Sequence, residues 1–255
     1  MKITKILTGL ILSLTLLLQA QERQLADSLK TMIAAKGIND AAQELEAALK
    51  TKPANESTFR MLHLLLATPN LLSRTESMRL HEVIKQHAFK STATLTPPDE
   101  PGDQLIISGI VRNTDGEPVA GARVFVFQTD AGGYYSPSDV KTRRMDEANS
   151  RLFGTMVTGA DGRYEFFTVR PGGYPFPRKD IPVSDPLRFI PAHIHFEVSA
   201  AGLSMRRFQL VFEGDPRMTQ EWHRWANREN NPVMKITSDQ TGIQHGVCDI
   251  VLQRN

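Results

Sequence analysis

His193 and His195 stand two residues apart in Pro191-Ala192-His193-Ile194-His195-Phe196-Glu197-Val198, a segment that alternates in the manner of a β-strand. Strand side chains point to opposite faces in turn, so His193, His195 and Glu197 share one face and Ile194, Phe196 and Val198 the other. Two imidazoles side by side on an apolar-backed strand are a rigid pair of nitrogen donors, the start of a metal site. Read more plainly, they are polar side chains on a half-buried surface. The choice turns on whether the rest of the chain supplies matching ligands.

The chain has 4 tyrosines, and three of them fall in two glycine-flanked loops upstream. These are Ala131-Gly132-Gly133-Tyr134-Tyr135-Ser136-Pro137 and Pro171-Gly172-Gly173-Tyr174-Pro175-Phe176-Pro177. Glycines let a backbone turn tightly and approach a site, while prolines fix the exit of the chain. A phenol titrates near ~10 and ionises near neutrality only beside a strong positive charge. Ferric iron is hard and trivalent, so two tyrosinates and a hydroxide would balance its charge and two imidazoles would complete the set. Zinc or copper would draw on more His or Cys, and ferrous oxygenases on two His and a carboxylate. A two-His, two-Tyr set therefore points to Fe(III).

The elements that must position these groups come in two regions. Over 21–92 apolar residues recur at helical spacing: Leu25, Leu29, Met32 and Ile33; Ala42, Leu45 and Leu49; Phe59, Leu62, Leu65 and Leu66. Asn55 or Ser57 is expected to cap the third helix and Thr75 a fourth, over 78–89. Residues 93–104 carry Pro97, Pro98 and Pro101 and predict an extended linker. From Leu105 the period changes to two. Strands are predicted over 105–112, 122–128, 153–158, 163–169, 193–199, 206–212, 233–237 and 246–252, separated by turns such as Asp115-Gly116, Asp161-Gly162 and Glu213-Gly214-Asp215-Pro216. The expected fold is mainly β, an antiparallel sandwich over 105–255 preceded by a small helical region.

Lys2 and Lys5, the apolar run from Ile6 to Leu18 and the small Ala20 predict a secretory signal peptide over 1–20, with no stable membrane anchor and a periplasmic or secreted product. Without Lys2 and Lys5 the two signs balance at 28 each, so no basic stripe argues for nucleic acid. Cys248 is the only cysteine and reads as a small packed side chain on a terminal strand.

From about Ile107 to Leu252 the chain resembles the intradiol ring-cleavage dioxygenases, the catechol and protocatechuate 3,4-dioxygenase-like family. The pieces come in family order: Gly116-x-Pro118-Val119-x-Gly121-Ala122; Val126-Phe127-Gln128-Thr129-Asp130-Ala131-Gly132-Gly133-x-Tyr135; Asp161-Gly162-Arg163-Tyr164; Pro171-Gly172-x-Tyr174-Pro175; Pro191-Ala192-His193-Ile194-His195-Phe196; and Phe208-Gln209-Leu210-x-Phe212-Glu213-Gly214-Asp215-Pro216. The Asp-Gly turns also mark transthyretin-like modules. Pro-Ala-His-x-His-Phe preceded by both tyrosine loops is specific.

The resemblance implies Fe(III) held by Tyr135, Tyr174, His193 and His195, with Tyr134 a neighbour and Gln209 near the substrate and dioxygen. It implies cleavage of a small aromatic diol by O2 between its two hydroxyl-bearing carbons to a muconate-type diacid. Well-known members have an arginine three residues before the first His, where this chain has Ile190. Arg188 is the candidate replacement; on a strand it would share the face of Ile190. Phe176 and Val211 make the expected lining more apolar. The helical region would serve packing or a homodimer. Two alternatives follow: an iron-binding relative of weak activity, suggested by Ile190, and a non-catalytic transthyretin-like binding module.

Overall fold

The computed structural model of the protein describes residues 20–136, 145–175, 182, 185 and 188–255. Nearly all of the expected signal segment lies outside these residues, as does Phe176. Helical residues 20–36 (α1) are followed by α2 (Ile38–Thr51), α3 (Glu56–Ala67) and α4 (Arg74–Gln86). Leu29, Ala42, Leu45, Leu49, Leu62, Leu65 and Leu66 are buried in one cluster, so the helical period found its core. Asn55 caps α3, its side chain accepting from the Thr58 N–H at 3.0 Å. The cap of α4 is Ser73, not Thr75: Ser73 accepts from the Glu76 N–H at 3.2 Å. Ser73 has a glutamate three residues on, the spacing of a capping box, and Thr75 does not.

The strands are β1 (Thr92–Thr94), β2 (Gln104–Asn113), β3 (Arg123–Gln128), β4 (Leu152–Val157), β5 (Arg163–Val169), β6 (Tyr174–Pro175), β7 (Phe189–Ile190), β8 (His193–Ser199), β9 (Arg206–Phe212), β10 (Val233–Met234), β11 (Thr237–Ser238), β12 (Gln244–Val247) and β13 (Ile250–Leu252). One sheet runs β1-β5-β2-β12-β11 with β13 also on β2. A second runs β10-β9-β8-β3-β4, and β6-β7 make a short ribbon. Ile107 and Val111 of β2 and Tyr164 and Phe166 of β5 share a core with Val124 and Val126 of β3 and Ile194, Phe196 and Val198 of β8. Phe196 meets Tyr164 and Phe166 edge-on or tilted, with ring centroids 6.2 and 6.0 Å apart.

Three expectations are corrected. The sheets are mixed: β1 pairs parallel with β5, β10 with β9, and both β12 and β13 with β2. Long connections return the chain to a sheet it left earlier, which permits either direction where a hairpin permits only one. Among the described residues helix and strand occupy comparable shares, so the fold is not mainly β. The linker is not only a connector: β1 runs from the last residue of the expected helical region into it, and Leu95 is fully buried. Its alternating residues precede the first proline.

A helix that the strand pattern did not suggest, α5 (Gln220–Arg228), follows β9, capped by Thr219 and burying Trp222 and Ala226. Cys248 is packed as expected, and burial pushes its thiol up to about 11. Among the described residues, no helix is long and apolar enough to cross a membrane.

The helical arm packs on the outer face of the second sheet. Phe153 of β4 is fully buried in the arm's cluster, with Phe125 and Phe127 of β3 packed against it. His63 and His81 lie over the Phe153 ring at 4.6 and 4.3 Å. Arg60 binds Glu22 at 2.8–2.9 Å and donates to the carbonyls of Thr94 and Thr96 at 2.8 and 2.6 Å, strapping the arm to the linker. Phe153→Ala removes the ring on which arm and sheet meet. It should lower stability by about 3–5 kcal/mol and make 20–92 the first segment cut in limited proteolysis, measured beside a denaturant titration.

Candidate metal centre

Strand β8 is central in its sheet, paired with β3 on one side and β9 on the other. Its inner side chains Ile194, Phe196 and Val198 are buried in the shared core. The pleat therefore forces His193 and His195 onto the outer face. His193 is buried and its Nδ1 lies 2.8 Å from the Pro191 carbonyl. A carbonyl only accepts, so Nδ1 carries the proton and Nε2 keeps its lone pair. Phe127, opposite His195 in the β3–β8 ladder, stacks flat on its ring at 4.3 Å and 4°.

The two tyrosine loops are interlocked. Asp130 Oδ1 accepts from the N–H groups of Gly132 and Tyr134 at 2.9 and 3.1 Å. Its backbone carbonyl accepts from Gly133 in the same loop at 3.0 Å and from Gly172 in the second at 2.8 Å. Thr129 Oγ1 donates to the Gly172 carbonyl at 2.7 Å. A side chain would not fit here: a Cβ on Gly133, whose φ is +84°, would stand 2.6 Å from Gly173 O, and one on Gly172 2.5 Å from Ala131 O.

This arrangement brings four predicted residues to one point. Tyr135 Oη lies 3.1 Å from Tyr174 Oη, 3.3 Å from His193 Nε2 and 2.8 Å from His195 Nε2, and the two imidazole nitrogens are 3.0 Å apart. Tyr135 is fully buried, whereas Tyr134 is exposed. Of the two adjacent phenols, only Tyr135 joins the cluster.

Burial pushes His193 down to about 4, offset in part by the Pro191 carbonyl and the charge of Asp215. Burial, then the proximity of His193, pushes His195 down to about 2. Both rings are neutral donors near pH 7. Separations of 2.8–3.3 Å suit donors sharing one ion at ~2.0–2.2 Å from each. Among the described residues, no group of three or more His, Cys, Asp or Glu forms a rival metal site. Two phenols and two imidazoles fit a hard trivalent cation better than zinc or ferrous iron.

Gln209 is directly opposite His195 on β9, and Val211 opposite His193, so both share the site face. Ile190 is opposite Tyr174 in the β6–β7 ribbon. The strand β7 begins at Phe189, so Arg188 precedes it, its N–H bonded to the Asp185 carbonyl at 2.9 Å. Sequence reasoning missed Phe127 and Asp130 as site-building residues, although both fall inside a quoted motif. Their roles depend on ladder register and loop folding, which spacing does not carry.

Residues 82–252 match the Dioxygenase family model. The chain belongs to the intradiol ring-cleavage dioxygenases. It is 38% identical over 156 residues to catechol 1,2-dioxygenase 1 of Acinetobacter lwoffii, covering 59% of this chain and 48% of that protein. It is 38% identical over 124 residues to hydroxyquinol 1,2-dioxygenase of Rhizobium sp. (strain MTP-10005), covering 46% and 40%. This family member thus spans about half the length of these curated relatives. Its fold matches the crystal structure of catechol 1,2-dioxygenase from Pseudomonas arvilla C-1 with a TM-score of 0.51 at 22% identity, over 65% of this chain and 57% of that one.

If Tyr135 and not Tyr134 binds the metal, Tyr135→Phe should bleach or shift the visible band of the iron-loaded protein. Tyr134→Phe should leave it in place. Absorption spectra of the two variants at equal iron content decide between them.

Proposed function

We propose that this chain is an exported non-haem Fe(III) dioxygenase that opens the ring of a small aromatic diol between its hydroxyl-bearing carbons, giving a muconate-type diacid. The observation that carries this reading is the convergence of Tyr135, Tyr174, His193 and His195 within 3.3 Å of the Tyr135 hydroxyl. The two-sheet core reads as the sandwich of this family. Export rests on residues 1–20, and a homodimer, if formed through the helical arm, would use the face turned away from Phe125, Phe127 and Phe153.

Bound iron would supply Lewis acidity toward both diol oxygens and a path for electrons from the ring to O2. Tyr135 and Tyr174 would bring negative charge, and His193 and His195 would hold it in place as neutral donors. The Pro191 carbonyl keeps the Nδ1 proton of His193, and with it the orientation of Nε2. Phe127 fixes the plane of His195 and keeps water from that side. Tyr174 is carried on a ribbon of two residue pairs, Tyr174 with Ile190 and Pro175 with Phe189. Its phenolate would accept a proton from the incoming diol at Oη. Gln209, opposite His195 in the ladder, would donate a hydrogen bond to substrate or dioxygen. The ring supplies the electrons, so no separate reductant is needed.

A second reading has its own observation: an apolar Ile190 faces Tyr174 where well-known members carry arginine. In that reading the protein binds iron and diol but turns over slowly.

The iron-loaded protein should be wine-red from tyrosinate-to-iron charge transfer, and anaerobic catechol should move the band. Admitting O2 should yield one ring-opened diacid per O2 consumed, measured by chromatography and an oxygen electrode. A colourless protein holding stoichiometric zinc would sink the iron assignment. A shifted band without product would select the slow relative, and Ile190→Arg should then raise turnover.

A further inference from the structure

Asp130 holds both tyrosine loops, and Arg151 holds Asp130. Arg151 Nη2 donates to Asp130 Oδ2 at 3.1 Å, and the Arg151 N–H donates to the Tyr135 carbonyl at 3.0 Å. The same guanidinium forks onto Glu100, with Nη1 to Oε2 at 2.7 Å and Nη2 to Oε1 at 2.6 Å. The side chains of Arg151 and Glu100 are only 10% and 6% exposed.

A buried pair of this kind adds little net stability over an apolar pair of similar shape, but it is costly to break. Its effect lies in direction. A bidentate fork fixes the guanidinium plane, and here that plane sets where the Asp130 carboxylate lies, while the backbone N–H of the same arginine holds the Tyr135 carbonyl. Glu100 sits between Pro98 and Pro101, whose restricted backbones lower the entropy of placing it. Arg60 anchors the same linker to the arm through Thr94 and Thr96.

We propose that Glu100 is a positioning residue for Tyr135, acting through Arg151 and Asp130, so that the linker sets the geometry of the metal centre. The chain of contacts runs from the linker carboxylate to the Tyr135 backbone without a gap. It reaches the second loop as well, because the Asp130 carbonyl accepts from Gly172, two residues before Tyr174. The inference deepens the proposed function and rests on it for its spectroscopic test alone.

Glu100→Gln keeps the shape and removes the charge of the acceptor. Arg151→Lys keeps a charge and removes the fork. Arg254→Gln, which breaks the exposed ion pair with Asp115 in the same domain, is the control. In the metal-free full chain, amide hydrogen exchange at Gly132 and Tyr134 should accelerate roughly tenfold in the first two variants relative to amides in β2 and β5. In the iron-loaded protein the tyrosinate band should shift and iron affinity should fall roughly 10- to 100-fold, as when outer partners of metal ligands are lost. Arg254→Gln should change neither.

Unchanged exchange at Gly132 and Tyr134 overturns the proposal. So does acceleration that is uniform across β2, β5 and the loop, since the pair would then serve stability alone. If the wild-type ferric protein shows no tyrosinate band, the proposed function fails, and the exchange measurement still decides the role of Glu100.

Discussion

Strand β8 has to satisfy two opposite demands, and the pleat is what reconciles them. Ile194, Phe196 and Val198 close the core shared by the two sheets, and that burial fixes the register of the strand against β3 and β9. A slip of one residue would turn the imidazoles into the core and the apolar side chains outward. The position of His193 and His195 is therefore set by a hydrophobic constraint that involves neither of them. The pairings of His195 with Phe127 and Gln209, and of His193 with Val211, follow from the same register.

The phenols depend on a different kind of order. Tyr135 lies beyond β3, in a loop where no ladder holds it, and Tyr174 lies on a ribbon of two pairs. Precision in such places has to come from hydrogen bonds and close backbone approach. Asp130 supplies the first through both carboxylate and carbonyl, and the paired glycines permit the second. One glycine of each pair, Gly133 and Gly172, is thus a packing requirement between the two loops, while Gly173 lets the second loop approach the Ile190 carbonyl.

Much of this was legible in the residues. The shared face of His193 and His195, the helical periods and most strands followed from alternation and spacing, because both report directly on which face is buried; the family resemblance added Tyr135 and Tyr174. The family motif selected Tyr135 over Tyr134, a choice that composition could not make. What stayed hidden depends on distant pairing. The parallel partners of β1, β10, β12 and β13 arise from long connections. The helix α5 is short, and its Trp222 and Ala226 sit amid polar residues that break no strand pattern. Glu100 and Arg151 are 51 positions apart, and a charged residue between prolines carries no local sign of a buried partner.

The arm and the Tyr135-Tyr174-His193-His195 cluster occupy the same face of the second sheet, and Phe127 touches both. One part of its surroundings is the arm's apolar cluster; another is the flat face of His195. On a sheet whose inner face is closed by a core, the outer face must be either wetted or covered. Covering it with helices lets Phe125, Phe127 and Phe153 be apolar there, and an apolar Phe127 is what lies flat against His195. A cavity of about 510 Å³ remains between arm and first sheet, lined in part by Phe59, Arg60, Phe89 and Phe167, and none of the four donors opens into it. The arm thus contributes to the cluster through one shared ring and through the Arg60-anchored linker that carries Glu100, both of which place groups around the four side chains without supplying one.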